Sequence, residues 1–373
     1  MKNKIQNKTM LFRSLLTGFC CLVLSVFTQA KEYTVSTVAE GLNHPWSIAF
    51  LPNKDLLVTE RAGNLRIIRN GKLLEQKITG LPEILVRGQG GLMEVILDPD
   101  FINNQKLYLS YTSGTRSDNT LKVISAKLTD LSLQQVKVIL TVSPSRDTAH
   151  HYGGRMAFLK DGTLLITSGE GFNFREQAQD LGSMMGKMLR INTDGSVPKD
   201  NPFVGQKDIH PEIYSYGHRN PQAILLSEDG ILWQHEHGPK GGDELNIIKP
   251  GLNYGWPAIT YGVDYSGAII SPYSEAEGME QPVTYWVPSI APSGMTEYQG
   301  DKFPQWRGNL FVAALAERSV RRLILKDRKV ITQKIMLDEL KQRIRDIRTG
   351  PDGYLYVLTD SDQGSVLKLL PVK

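Results

Sequence analysis

Residues 160–166 read Lys-Asp-Gly-Thr-Leu-Leu-Ile, a polar turn followed by a short apolar strand. An Asp-Gly pair suits a hairpin turn with positive φ, and the apolar run suits a strand that is buried on both faces. Five looser copies of this unit occur along the chain, at 52–58, 104–109, 228–233, 308–312 and 351–357. Six copies of one strand-turn unit predict a repeat architecture built from β-sheets.

The spacing of the six copies favours an all-β propeller. On average the copies lie further apart than the ~40–50 residues of a compact propeller blade, so we expect long loops around the channel mouth, where a propeller holds its site. A β-sandwich is the alternative, because hairpins alone do not show that the sheets close into a ring. A strand at 33–38 could close the ring by pairing with 365–370, and only 180–190 and 338–344 show helical periodicity.

The N-terminus has the pattern of a secretory signal peptide. Four basic residues precede an apolar run at 15–27, which is followed by Thr28-Gln29-Ala30. We therefore expect cleavage after residue 30, a single mature catalytic domain at 31–373, and a periplasmic or secreted location. An uncleaved membrane anchor is the alternative, although the apolar run is short for a spanning helix.

Charge and cysteine content narrow the classes of partner. Lys2, Lys4, Lys8 and Arg13 account for the whole excess of 43 basic over 39 acidic residues, so the mature chain is formally neutral. We therefore expect a small-molecule partner, with no nucleic acid and no membrane partner after cleavage. Both cysteines lie at positions 20 and 21, inside the signal peptide, which leaves no disulfide and no cysteine-ligated zinc for the mature protein.

Two histidines stand before a glycine pair in residues 147–155, which read Asp-Thr-Ala-His-His-Tyr-Gly-Gly-Arg. Histidine commonly takes a proton near neutral pH, and a predicted strand at 156–159 would hold the ring rigidly. His151 is therefore a candidate base. The alternative is a loop histidine that only bonds to the backbone.

Further polar groups suit an anionic or carbonyl-rich ligand. In the segment Tyr-Gly-His-Arg-Asn-Pro-Gln, the Arg219 guanidinium could bind a carboxylate at two points and the Asn220 amide could hold a carbonyl oxygen. Gln89 stands among three glycines, and Arg343 and Arg345 share one face if the chain is extended there. Surface ion pairs, plain turns and a solvated edge are the alternatives for these residues.

Residues 235–246 offer several metal ligands in the sequence His-Glu-His-Gly-Pro-Lys-Gly-Gly-Asp-Glu-Leu-Asn. His235 and His237 could ligate zinc, yet they provide only two ligands without an obvious third. The oxygen-rich turns suit calcium better, because Gly and Pro let backbone carbonyls converge while Asp243 and Glu244 add carboxylates. A glycine-rich loop with solvated charges is the alternative to any metal site.

These motifs together resemble the soluble pyrroloquinoline quinone (PQQ)-dependent sugar dehydrogenases, in particular the shorter aldose sugar dehydrogenases. The likeness covers essentially the whole mature chain, and the shared order of the motifs makes chance agreement remote. The motifs are Gly-Gln-Gly-Gly-Leu at 88–92, His-Tyr-Gly-Gly-Arg at 151–155, Gly-His-Arg-Asn-Pro-Gln at 217–222, Glu-His-Gly-Pro-Lys-Gly-Gly-Asp-Glu at 236–244, Asn-Tyr-Gly-Trp-Pro at 253–257 and Arg-Ile-Arg-Asp at 343–346.

The resemblance implies a six-bladed β-propeller with four-stranded antiparallel blades, which holds the quinone over the channel mouth. His151 would take the proton from the anomeric hydroxyl of the sugar as hydride passes to the quinone. Arg219 and a calcium ion would stabilise the negative charge that develops on the quinone oxygen. The other positions that match cofactor contacts of the family are Gln89, Asn220, Arg343 and Arg345.

The resemblance also implies two calcium sites. Gly238 and Pro239 match backbone-carbonyl ligands of the catalytic calcium. Glu244 and the carbonyl of Tyr254 match a second, structural calcium site. The implied cofactors are therefore PQQ and Ca²⁺.

Other positions match less closely or depart from the family. Tyr265 and Trp286 match ring-stacking or sugar-wall positions, and we assign Tyr265 to cofactor binding. Ala316 stands where the family often supplies a lysine to the cofactor, so we expect weaker cofactor binding unless Arg318 or another cation takes its place. His150 stands where relatives carry an acid or an amide, which changes the surroundings of the base.

The predicted activity is therefore PQQ- and calcium-dependent oxidation of aldose sugars to lactones. The expected partners are an aldose and an unidentified electron acceptor, and we expect a monomer. A calcium-dependent propeller lactonase is one alternative, but it needs no paired arginines at the channel. A non-catalytic extracellular propeller that binds a protein or a glycan is another, and it leaves His151 and Arg219 without roles.

Overall fold

Six antiparallel sheets of four strands each make up the computed structural model, which describes residues 32–372. The predicted signal peptide at 1–30 lies outside the described residues. Each of the six sequence copies leads into the second strand of a different sheet. The predicted six-bladed β-propeller with four-stranded antiparallel blades is thereby confirmed, and a two-sheet sandwich is excluded.

The blades follow one another in chain order, and the last one takes its fourth strand from the beginning of the domain. Blade 1 contains β2 (Pro45–Phe50), β3 (Leu56–Glu60), β4 (Asn64–Arg69) and β5 (Lys72–Leu73). Blade 2 contains β6 (Leu92–Leu97), β7 (Lys106–Gly114), β8 (Asn119–Thr129) and β9 (Ser132–Thr141). Blade 3 contains β10 (Gly153–Phe158), β11 (Leu164–Ser168), β12 (Lys187–Ile191) and β13 (Ile213–Tyr216). Blade 4 contains β14 (Pro221–Leu226), β15 (Leu232–Glu236), β16 (Asp243–Ile247) and β17 (Thr284–Trp286). Blade 5 contains β18 (Pro292–Glu297), β19 (Leu310–Ala314), β20 (Ser319–Lys326) and β21 (Lys329–Met336). Blade 6 contains β22 (Ile344–Thr349), β23 (Leu355–Thr359), β24 (Gly364–Pro371) and β1 (Tyr33–Leu42).

The ring closes through the two ends of the domain. Strand β1 pairs antiparallel with β24, with Tyr33 opposite Pro371 and Thr34 opposite Leu370. This is the pairing that the sequence predicts between 33–38 and 365–370. The first strands of neighbouring blades, from β2 to β22, contact one another in succession around the axis.

A local turn explains why the repeated unit marks the second strand of each blade. In blade 3, the Asp161 carboxylate accepts hydrogen bonds from the Thr163 amide at 2.9 Å and from its hydroxyl at 2.6 Å. Gly162 lies between them with a φ of +82°, a conformation that glycine adopts without strain. The polar turn thus reverses the chain from β10 into β11.

Apolar side chains pack between neighbouring blades. Leu57, Leu107 and Ile124 are fully buried in the cluster that joins blades 1 and 2. Phe303 and Trp306 stack with ring centroids 3.9 Å apart in the cluster that joins blades 5 and 6. Each such side chain stabilises the fold by about 1.5–3 kcal/mol. The apolar core therefore lies in the spaces between blades.

Helical structure in residues 32–372 is confined to short pieces. These are α1 (Phe101–Asn104) and the 3₁₀ turns Arg175–Ala178, Pro304–Trp306 and Asp338–Leu340. The helical periodicity at 180–190 was misleading, because Gly186 adopts a φ of +68° and the chain then extends into β12. The 338–344 segment forms one 3₁₀ turn before β22 begins. Within the described range, no helix has the length and hydropathy needed to cross a membrane.

A cluster of four charged side chains lies at the axis of the ring, three of them buried and the fourth, Arg348, 25% exposed. Nη1 of Arg155 is 3.1 Å from Glu94 Oε2 and 3.2 Å from Asp346 Oδ1. Arg348 completes the cluster, with Nη2 2.7 Å from Glu94 Oε1 and Nε 3.1 Å from Asp346 Oδ2. Each charge thus has partners of opposite sign, as buried ions require.

This axial cluster touches the first strand of every blade. Glu94, Arg155 and the Asp346–Arg348 pair belong to β6, β10 and β22. Hydrogen bonds connect them to the other three first strands, through the Ser47 hydroxyl of β2 at 2.6 Å, the Gln222 carbonyl of β14 at 2.9 Å and the Ser293 carbonyl of β18 at 3.4 Å. The cluster therefore ties all six blades together and fills the centre of the ring.

Candidate active site

A cavity of about 230 Å³ lies at the mouth of the channel, where the first strands of the blades begin. Its lining includes Trp46, Arg61, Gln89, Tyr265, Arg343 and Arg345. The Arg155 guanidinium lies 4.0 Å from the centre of the Trp46 ring, so the axial cluster supports this part of the cavity wall. The cavity thus brings together four of the predicted cofactor-binding residues from three distant segments of the chain, namely Gln89, Tyr265, Arg343 and Arg345.

His151 is held beside this cavity by its backbone and by its ring. Its amide donates to the Gln89 side-chain oxygen at 2.8 Å, and its carbonyl accepts from Arg146 at 2.9 Å. Its Nδ1 lies 3.0 Å from Glu170 Oε1. Because a carboxylate oxygen accepts, Nδ1 carries the proton and Nε2 carries the basic lone pair.

The electrostatic surroundings of His151 keep it neutral. Burial, together with the positive charge of Arg219, lowers the pKa of His151 to about 4, although Glu170 acts in the opposite direction. The imidazole is therefore unprotonated at neutral pH. An unprotonated ring with a fixed tautomer can accept a proton from a bound hydroxyl group.

Glu170 is a site residue that the motifs did not reveal. It follows β11, the strand that pairs with β10, which begins two residues after His151. Its side chain is fully buried. Its backbone amide donates to the Arg219 carbonyl at 2.9 Å, which links the histidine and arginine segments. The sequence could have indicated Glu170, because this carboxylate stands two residues after β11, the strand formed by the repeated unit that follows the histidine segment.

Arg219 lies buried beneath the exposed ring of Tyr265. Its Nη1 donates to the carbonyl of Gly238 at 2.6 Å and to that of His237 at 3.2 Å. Its guanidinium lies 5.2 Å from the Trp256 ring centre and 6.0 Å from that of Tyr265. Its Nε is buried without a hydrogen-bond partner among residues 32–372, which leaves one donor of the site unsatisfied.

Asn220 is oriented by His237. The ring Nε2 of His237 donates to the Pro292 carbonyl at 2.7 Å, so Nδ1 is free to accept from the Asn220 side-chain nitrogen at 3.3 Å. Burial and the neighbouring His151 and Arg219 hold the pKa of His237 well below its usual range, which agrees with this neutral tautomer. The amide orientation of Asn220 is therefore set by a residue that lines the same cavity.

Arg343 and Arg345 flank one carboxylate. Asp360 Oδ2 is 2.9 Å from Arg345 Nη2 and 3.5 Å from Arg343 Nε. Although burial acts to raise it, these two guanidinium groups and His44 hold the pKa of Asp360 well below its usual range. The pair keeps a net positive charge after Asp360 is counted, and both arginines line the cavity.

The predicted catalytic calcium ligands lie in the loop between β15 and β16. Gly238 and Pro239 are both buried, and a Cβ on Gly238 would lie 2.3 Å from Gly242 backbone atoms. The loop is therefore a tight backbone turn that only glycine fits at this point. The Gly238 carbonyl accepts a hydrogen bond from Arg219, and backbone carbonyl oxygens are among the ligands that calcium takes.

The predicted second calcium site contains two neighbouring carboxylates. Glu244 on β16 pairs with Glu236 on β15. Burial raises the pKa of Glu244, and the charge of Glu236 raises it further. Tyr254 is buried nearby, with its ring stacked on His218, whose Nδ1 is 3.6 Å from Glu236. Two neighbouring carboxylates, one of which has a raised pKa, fit a site for a hard cation.

The structure does not favour a zinc site at His235 and His237. No group of three or more His, Cys, Asp or Glu side chains in the described part of the chain is arranged to hold a metal ion. His237 uses both ring nitrogens in hydrogen bonds, and His235 is buried on β15. Backbone carbonyls of the glycine-rich loop are the better candidate ligands for a metal here.

An aromatic wall stands at the entrance of the site. Tyr265 is 58% exposed and stacks on Phe172, with ring centroids 6.3 Å apart. Phe172 in turn contacts the rings of His151 at 5.1 Å and His150 at 5.5 Å. Phe172 was not predicted from the sequence. Its φ of +71° is unusual for a bulky residue and places the ring over the base.

Trp286 does not belong to this wall. It lies on β17, is 5% exposed, and packs among the apolar residues between blades 4 and 5. Its Nε1 donates to Gln333 on β21 at 2.9 Å. The predicted sugar-wall role of Trp286 is therefore wrong, because its ring is buried in the apolar core between two blades.

Comparisons with known proteins show the family of this chain. The family model described as "Glucose / Sorbosone dehydrogenase" matches residues 42–368. The aldose sugar dehydrogenase YliI of Escherichia coli K12 is 43% identical over 365 residues, covering 95% of this chain and 98% of that protein. Quinoprotein glucose dehydrogenase B of Acinetobacter calcoaceticus is 29% identical over 442 residues, covering 94% of this chain and 91% of that protein.

Solved structures show the same architecture. The apo form of the soluble aldose sugar dehydrogenase of E. coli superposes with a TM-score of 0.88 at 42% identity, covering 91% of this chain and all of that one. The PQQ-bound form of the aldose sugar dehydrogenase of Streptomyces coelicolor superposes with a TM-score of 0.74 at 29% identity, covering 90% of this chain and 98% of that one. The family resemblance stated from the motifs is thereby confirmed, and the chain belongs to the glucose/sorbosone dehydrogenase family.

Proposed function

We propose that this chain is a PQQ- and calcium-dependent dehydrogenase that oxidises aldose sugars to lactones. The observation that carries the proposal is the position of His151, a buried neutral base, beside a cavity lined by Arg343 and Arg345. Family membership and the PQQ-bound relative support the same conclusion. A lactonase would have no use for these arginines, and a binding propeller would have no use for the base.

The residues present fit an anionic quinone. PQQ carries carboxylates, and guanidinium groups bind carboxylates through charge-assisted hydrogen bonds. The net positive charge of Arg343 and Arg345 beside Asp360, and the unpartnered Nε of Arg219, suit such a ligand. Gln89 and Asn220 would hold its polar edge, and Tyr265 would cover its ring. When bound, the quinone supplies the carbonyl group that accepts hydride.

His151 would remove the proton from the anomeric hydroxyl through Nε2. Glu170 holds Nδ1 and stabilises the imidazolium that forms, because its carboxylate is 3.0 Å away and buried. Arg219 would stabilise negative charge at the cofactor. Phe172 and Tyr265 limit the access of water above the base.

Calcium is the second proposed cofactor. The carbonyls of Gly238 and Pro239 would hold the catalytic ion, which supplies additional positive charge beside the quinone oxygen. Arg219 donates to the Gly238 carbonyl in this structure, so this hydrogen bond would have to give way for that oxygen to bind the ion. Glu244 and the Tyr254 carbonyl would hold the second ion, which relieves the repulsion between Glu236 and Glu244.

The remaining features of the proposal concern the cellular setting. We propose an aldose substrate, an unidentified electron acceptor, cleavage of the 1–30 signal peptide, and action as a monomer in the periplasm or outside the cell. The basic excess of the signal peptide and the neutral mature chain support export and a small-molecule partner.

The test is reconstitution of the purified protein with PQQ and CaCl₂. We expect the quinone absorbance to shift on binding and an aldose to drive reduction of an electron-accepting dye. His151→Ala should retain quinone but lose about two to four powers of ten in turnover, whereas His150→Ala should retain most turnover. No sugar-dependent dye reduction with quinone demonstrably bound would overturn the proposal. Lactone hydrolysis without quinone would favour the lactonase.

A further inference from the structure

Arg61 is a cation of the cavity that no motif identified. It follows β3 and lines the same cavity as Gln89, Arg343 and Arg345. We propose that Arg61 is a further binding residue for a carboxylate of the anionic cofactor, and that it supplies the positive charge that Ala316 cannot. The inference rests on the proposed function and identifies one more residue of that site.

The charge of Arg61 is available to a ligand. Arg343 and Arg345 share Asp360, so part of their charge is already neutralised. No carboxylate pairs with Arg61 among residues 32–372. Its guanidinium makes one hydrogen bond, from Nη1 to the Gly88 carbonyl at 3.2 Å, and most of its five N–H donors stay free. An arginine without an acidic partner keeps its full positive charge for an anionic ligand.

The turn that carries Gln89 is built around Arg61. A Cβ on Gly91 would lie 2.0 Å from the Arg61 carbonyl oxygen and 2.8 Å from its Cγ. The Arg61 carbonyl also accepts from the Leu92 amide at 3.3 Å. The absence of a side chain at Gly91 therefore lets the chain close on Arg61.

Arg318, the replacement considered from the sequence, lies elsewhere. It is exposed, its Nη1 is 3.5 Å from the Lys341 carbonyl, and it is absent from the cavity lining. Leu315 is the residue of that loop that reaches the cavity. The cation that compensates for Ala316 therefore comes from blade 1, on the Gln89 side of the cavity.

The experiment compares four proteins, wild type, Arg61→Met, Arg61→Lys and Arg318→Met, by equilibrium dialysis against PQQ with calcium present and sugar absent. Losing one charge-assisted contact should weaken PQQ binding about 10- to 100-fold in Arg61→Met. Arg61→Lys should recover part of the affinity, and Arg318→Met, which removes the same charge outside the cavity, should bind as wild type does.

A second ligand separates charge recognition from a merely structural role. The trimethyl ester of PQQ has no carboxylate charge, so wild type and Arg61→Met should bind it equally. Equal affinity of both proteins for PQQ itself would overturn the inference, as would the same loss of affinity for PQQ and for the ester. If wild type binds neither ligand, the proposed function fails instead.

Discussion

His151 Nδ1 and Glu170 Oε1 lie 3.0 Å apart, and both side chains are buried. The histidine follows β9 in the chain and the glutamate follows β11, so the pair exists only because β10 and β11 are neighbours in blade 3. The carboxylate fixes one tautomer of the ring. The reactivity of the base therefore depends on a side chain nineteen positions away in sequence.

Replacing Glu170 with Gln should lower turnover by roughly two to four powers of ten. The amide can donate to Nδ1, which would move the imidazole proton to Nε2 and remove the basic lone pair from the reacting atom. PQQ affinity should stay near the wild-type value, because Glu170 binds the ring and not the cofactor. Steady-state kcat and quinone titration measure the two effects, with Glu170→Asp as the control that keeps the charge. A Gln variant with wild-type kcat would remove Glu170 from the mechanism.

The acid limb of the activity profile should lie near pH 4 and well below the ordinary histidine range. Burial, then Arg219, lowers the pKa of His151 to about 4, so the basic form persists as the pH falls from 7 to 5. The lowered pKa of His151 also contributes to the stability of the folded protein. This contribution is present above the pKa of the unfolded chain, near 6.5, and is lost as the pH falls through the folded pKa of about 4. kcat/KM measured against pH tests the prediction, with recovery at pH 7 as the check for unfolding. A limb at pH 6.5 would contradict it.

Calcium should raise the unfolding temperature through Glu244. Burial and the charge of Glu236 raise the pKa of Glu244 in the folded protein. Without a cation, the contribution of Glu244 to stability is therefore present below the pKa of the unfolded chain and is lost as the pH rises through the folded pKa. We expect Ca²⁺ to raise Tm at pH 7.5 and EDTA to reverse the effect. Glu244→Gln should abolish most of this response without lowering Tm in EDTA. The exposed Glu83→Gln serves as control. An unchanged calcium response in Glu244→Gln would assign the stabilising ion to another site.

Arg155→Met should destabilise the domain by about 3–5 kcal/mol. The change removes the central partner of Glu94 and Asp346, which are fully buried and retain Arg348 as their one charged partner among residues 32–372. Urea unfolding followed by tryptophan fluorescence measures the loss. Lys249→Met provides the control, because Lys249 pairs with Glu280 at the surface and should cost about 0–1 kcal/mol. Equal midpoints for the two variants would show that the axial cluster adds no stability.

Much of the fold could be predicted because its signal is local. The Asp161-Gly162 turn and its relatives need only neighbouring residues, so the second strand of each blade is visible in the sequence. The axial cluster is not, since Arg155 and Asp346 meet only after the ring closes. Helical periodicity at 180–190 gave a wrong expectation because spacing alone ignores the backbone angle of Gly186.

The sequence likewise predicted only part of the candidate site. Gln89, Arg343 and Arg345 stand in recognisable motifs, and the structure brings them to one cavity. Glu170 and Arg61 stand in no motif that we recognised, because their contacts are with segments from other strands. Trp286 shows the opposite error, in which an aromatic residue near the motifs fills the core.

Because the axial cluster lies at the centre of the ring, we expect it to close the channel below the cavity. A sugar and an electron acceptor must then use one entrance in turn, and the first product has to leave before the acceptor can approach. This order corresponds to ping-pong kinetics, with parallel lines in double-reciprocal plots when both concentrations are varied. High sugar concentrations should also inhibit, because sugar would occupy the entrance while the reduced enzyme waits for its acceptor.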